Sequence, residues 1–160
     1  MKLCIHQRGL YFEELDPEVI YRHSPGRTVE AADNTLFSTL TMNPQSLHLD
    51  AAASARTEFG ERLVNSMFTL STLIGLSVAQ LTQETTVANL GFGQIAFPSP
   101  VLAGDTLYAE TTVLSKRESK SRPEVGIVEF LHVARNQRDE VVAEARRTAM
   151  MRRLPAEDQP

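Results

Sequence analysis

The stretch from Leu63 to Leu81 constrains this chain most. It is the longest apolar run, yet Asn65, Ser66, Thr69, Ser71, Thr72, Ser77 and Gln80 interrupt it. A membrane-spanning helix needs about 20 predominantly apolar residues, and this run is too short and too polar. Its apolar residues face nearly every direction of a helical wheel, the pattern of a helix enclosed by the rest of the protein.

What encloses it follows in the sequence. Leu107, Ala109, Thr111 and Val113 alternate with Tyr108, Glu110, Thr112 and Leu114, a two-residue period. Residues 126–135, rich in Ile, Val, Phe and Leu, and residues 141–150 have the same character. Between them lies Asn136-Gln137-Arg138-Asp139-Glu140, a polar connection of hairpin length. Pro98, Pro100 and Gly104-Asp105 punctuate the entry to this run of antiparallel strands. A long helix followed by a meander predicts an α+β domain, its antiparallel sheet curled around the helix. Such a sheet leaves an open edge, so pairing into a homodimer is expected.

The first half is less regular. Residues 1–26, with Pro17 and Pro25, read as an arm with one strand, and Arg27-Thr28-Val29 as a short strand. A helix opens next, with Asp33 near its start as a cap and Leu36, Phe37 and Leu40 at helical spacing. Pro44 disfavours helix at Asn43, so His48 falls on a loop or at the entry to the next element. Asp50 is a candidate N-cap for a short helix over 50–57, ending near Gly60. One domain is expected over residues 1–154, with a polar, frayed tail from there to Pro160.

Composition excludes several functions. Net charge is −4, which predicts no global attraction to nucleic acid or to an anionic membrane. The single cysteine, Cys4, rules out an intrachain disulfide framework and fits a reducing, cytoplasmic setting. His6, His23, His48 and His132 are scattered without metal-ligand spacing. No metal is expected.

Asn43-Pro44-Gln45-Ser46-Leu47-His48-Leu49-Asp50 is where chemistry concentrates. Histidine can accept and return a proton near neutral pH. A loop histidine by itself reads equally as structural, and Asn43 before proline as a turn residue.

These residues resemble the MaoC-like, or R-specific enoyl-CoA hydratase, branch of the hot-dog fold. The likeness spans about residues 10–150. It is carried by the helix around Asp33–Leu40, by Asn43 to Asp50, by Asn65-Ser66-Met67, and by Phe97-Pro98-Ser99-Pro100-Val101 with Gly104-Asp105-Thr106-Leu107. A narrower likeness, to hydratases of branched C5 dicarboxylic thioesters such as mesaconyl-CoA or itaconyl-CoA, rests on Thr41-Met42-Asn43 to His48 and on Glu118 to Pro123. The family's usual motif is Asp-x-Asn-Pro-x-His. His48 matches it, whereas Asn43 stands where the aspartate is usual.

The resemblance implies a lyase that adds water across an enoyl-CoA double bond. His48 would be the acid/base, Asn43 would orient water, and backbone N–H at Ser66 would polarise the thioester. Asn65 and Met67 would complete the substrate-binding helix start, and Arg62 would face a free carboxylate. Positive charge at Lys116, Arg117, Lys120 and Arg122, with Ser121 between, would meet the coenzyme's phosphates. No cofactor is expected beyond the coenzyme A of the substrate. Two rival readings remain: a hot-dog thioesterase, and an acyl-CoA-binding protein without activity.

Overall fold

The computed structural model describes residues 4–155. Strands β1 (Ile20–Arg22) and β2 (Arg27–Thr28) precede helix α1 (Ala31–Leu40) and the single turns α2 (Ser46–Leu49) and α3 (Ala51–Ser54). The long helix α4 (Ser66–Ser77) runs into one π-helical turn, Val78–Thr82. Four long strands follow: β3 (Thr86–Ala96), β4 (Thr106–Glu118), β5 (Val125–Arg135) and β6 (Val141–Arg152). The sheet is antiparallel in the order β1-β4-β5-β6-β3, with β2 also pairing with β4, further toward its start. Its concave face holds α4. This is the α+β arrangement expected from the change of period.

Two groups of side chains fill the space between helix and sheet. Around the first half of α4 lie Val29, Val64, Phe68, Leu73, Val101, Leu107 and Ala143. Around its far end lie Phe12, Leu15, Leu81, Val113, Val128, Phe130 and Met151. Fully burying a Leu, Phe or Met side chain contributes about 1.5–3 kcal/mol, so these residues drive the wrapping. Gly126 is part of the fit: a Cβ there would collide with the Phe12 ring.

Several details differ from the sequence reading. Helix α4 is not enclosed all round, since Met67 is 46% exposed and Val78 38%, and a Cβ at Gly75 would meet open space. Helix α1 buries Asn34 and Ser38, while Leu36 and Leu40 point to solvent. Apolar spacing misjudged that face because α1 docks through hydrogen bonds. Strand β3 gave no clear period, because Gly91, at φ 152°, and three register shifts interrupt its alternation. The tail is anchored at its start: Leu154 N–H donates to Glu13 Oε2 at 2.8 Å, beside the Arg153–Glu13 pair at 2.7 Å. Residues 156–160 of the expected tail lie outside the described residues.

Candidate active site

Asp33 opens α1 by accepting the Glu30 N–H at 2.9 Å and pairing with Arg27 at 2.7 Å. At the other end, Met42 takes a left-handed φ of 56° and turns the chain. Asn43 completes that turn. Its N–H donates to Ser38 O at 2.9 Å, and its Oδ1 accepts the Gln45 N–H at 3.0 Å, the local bond that Asn makes in turns. The turn delivers α2, which carries His48. Asp50 caps the next turn, accepting Ala53 N–H at 2.9 Å.

His48 is half-buried, and its Nδ1 lies 2.9 Å from the carbonyl oxygen of Leu63. A carbonyl can only accept, so Nδ1 carries the proton. In the neutral ring Nε2 is then a free base. Asn34, only 3% exposed, holds this arrangement from beneath. Its Nδ2 donates to His48 O at 3.2 Å and Leu63 O at 2.9 Å, and its Oδ1 accepts Asn65 N–H at 2.9 Å. One side chain thus joins α1, α2 and the start of α4. The sequence reading missed Asn34. Its neighbour Asp33 carries the capping signal, and nothing local marks an amide that bridges three distant segments.

Asn65 is the N-cap of α4: its Oδ1 accepts Met67 N–H at 3.0 Å, and its Nδ2 donates to Ser38 Oγ at 3.3 Å. Ser66 is the first residue of the helix. First-turn N–H groups have no intrahelical acceptor and sit at the positive end of the helix dipole. Ser66 and His48 line one cavity of about 430 Å³, whose other walls include Phe59, Val64, Thr69, the segment Phe97–Val101 and Val142. That volume lies in the range of small-molecule sites, and its walls are mainly apolar. The wall is tied to the helix entry by Val64 N–H donating to Val101 O at 2.9 Å and by a β-bridge between Leu63 and Leu102.

Other expected site residues lie elsewhere. Asn43 does not line the cavity. Arg62 lines a separate depression of about 270 Å³ with Asn34, Gly60 and Ala103. Met67 faces outward. Lys120, Ser121 and Arg122 are exposed in the β4–β5 connection, where Arg122 pairs with Glu124 at 2.7 Å. That connection is separated from the cavity by the length of β4, roughly 40 Å at the rise of an extended strand. Lys116 turns inward, donating to the carbonyls of Phe12, Glu13 and Leu15 at 3.1, 3.3 and 2.7 Å.

His23 and His132, remote in sequence, meet through Thr111. The hydroxyl lies 2.8 Å from His23 Nε2 and 2.8 Å from His132 Nδ1, while His23 Nδ1 faces Gln80 Oε1 at 2.7 Å. Burial lowers the pKa of both rings, and with the Arg147 charge beside it His132 is pushed down to about 3. These are core histidines, outside the His48 cavity.

A curled antiparallel sheet around one long helix, with a histidine and a helix N-terminus sharing a cavity, defines a hot-dog domain. The double hot-dog protein Rv0216 from Mycobacterium tuberculosis superimposes with a TM-score of 0.85 at 25% identity, over 98% of this chain and 48% of that one. Residues 14–135 match the family model described as the MaoC like domain, and the chain belongs to that family. The MaoC-like dehydratase from Rhodospirillum rubrum matches with a TM-score of 0.80 at 31% identity, over 92% of this chain and 99% of that one. Protein MaoC of Klebsiella aerogenes is 34% identical over 118 residues, which are 74% of this chain and 35% of that protein. Mesaconyl-CoA hydratase of Haloarcula marismortui is 29% identical over 152 residues, 94% of this chain and 42% of that protein. The chain therefore spans about two-fifths of the length of those two curated relatives.

Proposed function

We propose that this chain is a hydratase of enoyl-CoA thioesters, acting through His48 and the N-terminus of α4. The observation that carries the reading is that His48, its Nδ1 proton held by Leu63 O, lines one cavity with Ser66, the first residue of α4. Water approaching the β-carbon gives a proton to Nε2 as its oxygen forms the new bond. Electron density moves to the thioester oxygen, where Ser66 N–H and the helix dipole stabilise the enolate. The imidazolium then returns the proton to the α-carbon, which restores the thioester and the neutral ring. Throughout, Leu63 O holds the Nδ1 proton. One histidine suffices if both transfers occur on the same face. Asn43 then contributes by shaping the turn that presents α2, since its carbonyl is already engaged by Gln45 N–H.

The substrate we favour is a small branched dicarboxylyl thioester of the mesaconyl-CoA or itaconyl-CoA type. The likeness to a mesaconyl-CoA hydratase and a cavity of about 430 Å³ support that choice. Arg62 is the candidate for the free carboxylate. Asn65 and Met67 frame the helix start, and Lys120, Ser121 and Arg122, a strand length from this cavity, are candidates for the coenzyme's phosphates only at the cavity of a second copy of the chain. A homodimer is the assembly proposed, because no described strand pairs with the outer edge of β3 and Leu90 and Phe92 are exposed there. The double hot-dog fold of Rv0216, of which this chain covers 48%, supports a second such unit. Among the described residues no helix is long and apolar enough to cross a membrane. A cytoplasmic location is proposed from the single cysteine.

The test is a screen of enoyl-CoA thioesters with and without a terminal carboxylate, following enoyl absorbance and free thiol together. Loss of absorbance without thiol supports hydration, and thiol release would indicate a thioesterase. His48→Ala should lower kcat at least about 100-fold, the scale of a general acid–base group. Retained turnover in that variant refutes the assignment of His48.

A further inference from the structure

Four residues beyond the cavity-lining segment Phe97–Val101 stands a carboxylate that the proposed mechanism does not use. Asp105 is 4% exposed, yet every side of it is engaged. Oδ2 accepts Leu102 N–H at 3.0 Å, and Oδ1 accepts Gln137 Nε2 at 2.8 Å and Arg138 Nη1 at 2.9 Å. Arg138 is in turn braced by Glu140 at 2.9 Å, and Gln137 Oε1 accepts Thr106 N–H at 2.9 Å. The tip of the β5–β6 hairpin is thereby clamped onto the turn at 102–105.

From that turn a continuous chain of bonds leads to the base. Leu102 bridges Leu63, Val101 O accepts Val64 N–H at 2.9 Å, and Leu63 O accepts His48 Nδ1 at 2.9 Å. The position of one carbonyl decides which nitrogen of His48 is protonated, and that carbonyl is held by Asn34 Nδ2 at 2.9 Å on one side and by the segment that Asp105 grips on the other. We infer that Asp105, gripped by Arg138 and Gln137, is a positioning residue that sets the tautomer of His48. The catalytic consequence rests on the hydratase reading, whereas the tautomer does not. A carboxylate is required because three donors converge on two oxygens. In Asp105→Asn one position becomes an N–H₂ group, which must face a donor.

The experiment measures the ring nitrogen shifts of His48 by NMR on ¹⁵N-histidine-labelled protein, with steady-state kinetics on an enoyl-CoA. In the wild type, His48 is expected as the Nδ1–H form. Asp105→Asn should give a mixture of tautomers and lower kcat about ten-fold with KM nearly unchanged, as expected for a base misplaced by a fraction of an ångström. Arg138→Met should move both readouts the same way, about three-fold in kcat. Arg153→Met removes a comparable surface grip at the other end of the sheet, on Glu13 and Glu118, and should move neither. A folded Asp105→Asn that keeps the Nδ1–H form overturns the inference whatever its kcat, and so does a tautomer mixture with kcat intact. If Asp105→Asn does not fold, Arg138→Met and Gln137→Ala decide by the same readouts, and an unchanged tautomer in both overturns it. If the wild type turns over no enoyl-CoA, the hydratase reading fails and the tautomer alone decides the positioning role.

Discussion

Replacing Asn34 with Ala should loosen three segments at once. The side chain makes two donor bonds, to His48 O and Leu63 O, and accepts one from Asn65 N–H, in a site 3% exposed. In the alanine variant Leu63 O keeps its bond from His48, but His48 O loses its amide donor. Asn65 N–H is left buried without an acceptor. With about 1 kcal/mol net per bond, and somewhat more for the orphaned N–H, the loss is about 3 kcal/mol. For a chain of 160 residues that corresponds to a fall in Tm of roughly 6–12 °C. Urea unfolding monitored by circular dichroism measures it, with an unchanged m-value marking an unchanged unfolded state. Asn34→Asp isolates the donors: it retains an acceptor for Asn65 N–H but places an acceptor against two carbonyls. It should lose kcat as well as stability, because His48 and Ser66 are no longer held from one point. An Asn34→Ala protein within about 1 kcal/mol of wild type, a typical single-bond contribution, would refute the claim that this amide is the junction of the site.

Acid should destabilise the fold well before carboxylates titrate. His132 titrates near 6.5 when unfolded and about 3 when folded, so between those values the unfolded chain binds the extra proton. Stability from this ring is fully present above about pH 6.5 and falls as pH drops toward 3, at up to about 1.4 kcal/mol per unit. His23, also lowered by burial, adds to the same trend. Urea midpoints at pH 7, 6 and 5 check this, and a flat profile over that interval contradicts it. On the edge of the sheet, Leu90→Lys should convert a dimer to monomer in sedimentation velocity; a wild type already monomeric at tens of micromolar rules out the β3 interface. Lys116→Met should cost about 2–3 kcal/mol by leaving the carbonyls of Phe12, Glu13 and Leu15 without their shared donor. Its unfolding free energy, compared with that of Arg117→Met, separates the structural lysine from the exposed arginine beside it.

The long central helix, though not its partly exposed face, the meander of β4 to β6 and the hairpin at 136–140 were legible in the amino-acid order. Each is written as a local period or a run of turn residues, and burial of the matching face enforces it. His48 and Ser66 were legible too, as a histidine after a proline turn and as the opening of a capped helix. What the order of residues left undecided depends on partners far along the chain. Strand β3 is defined by its register with β6, not by its own interrupted alternation. Lys116 reads as one of a row of cations, yet the arm at Phe12 to Leu15 draws it inward. Asn34, Asp105 and the Leu63 carbonyl acquire their roles because hydrogen bonds are short and directional: only the folded backbone brings a donor from residue 34, 48 or 138 to its acceptor. The chemistry available to this protein is thus declared by its residue types. Which His48 nitrogen carries the proton is decided by the tertiary structure alone.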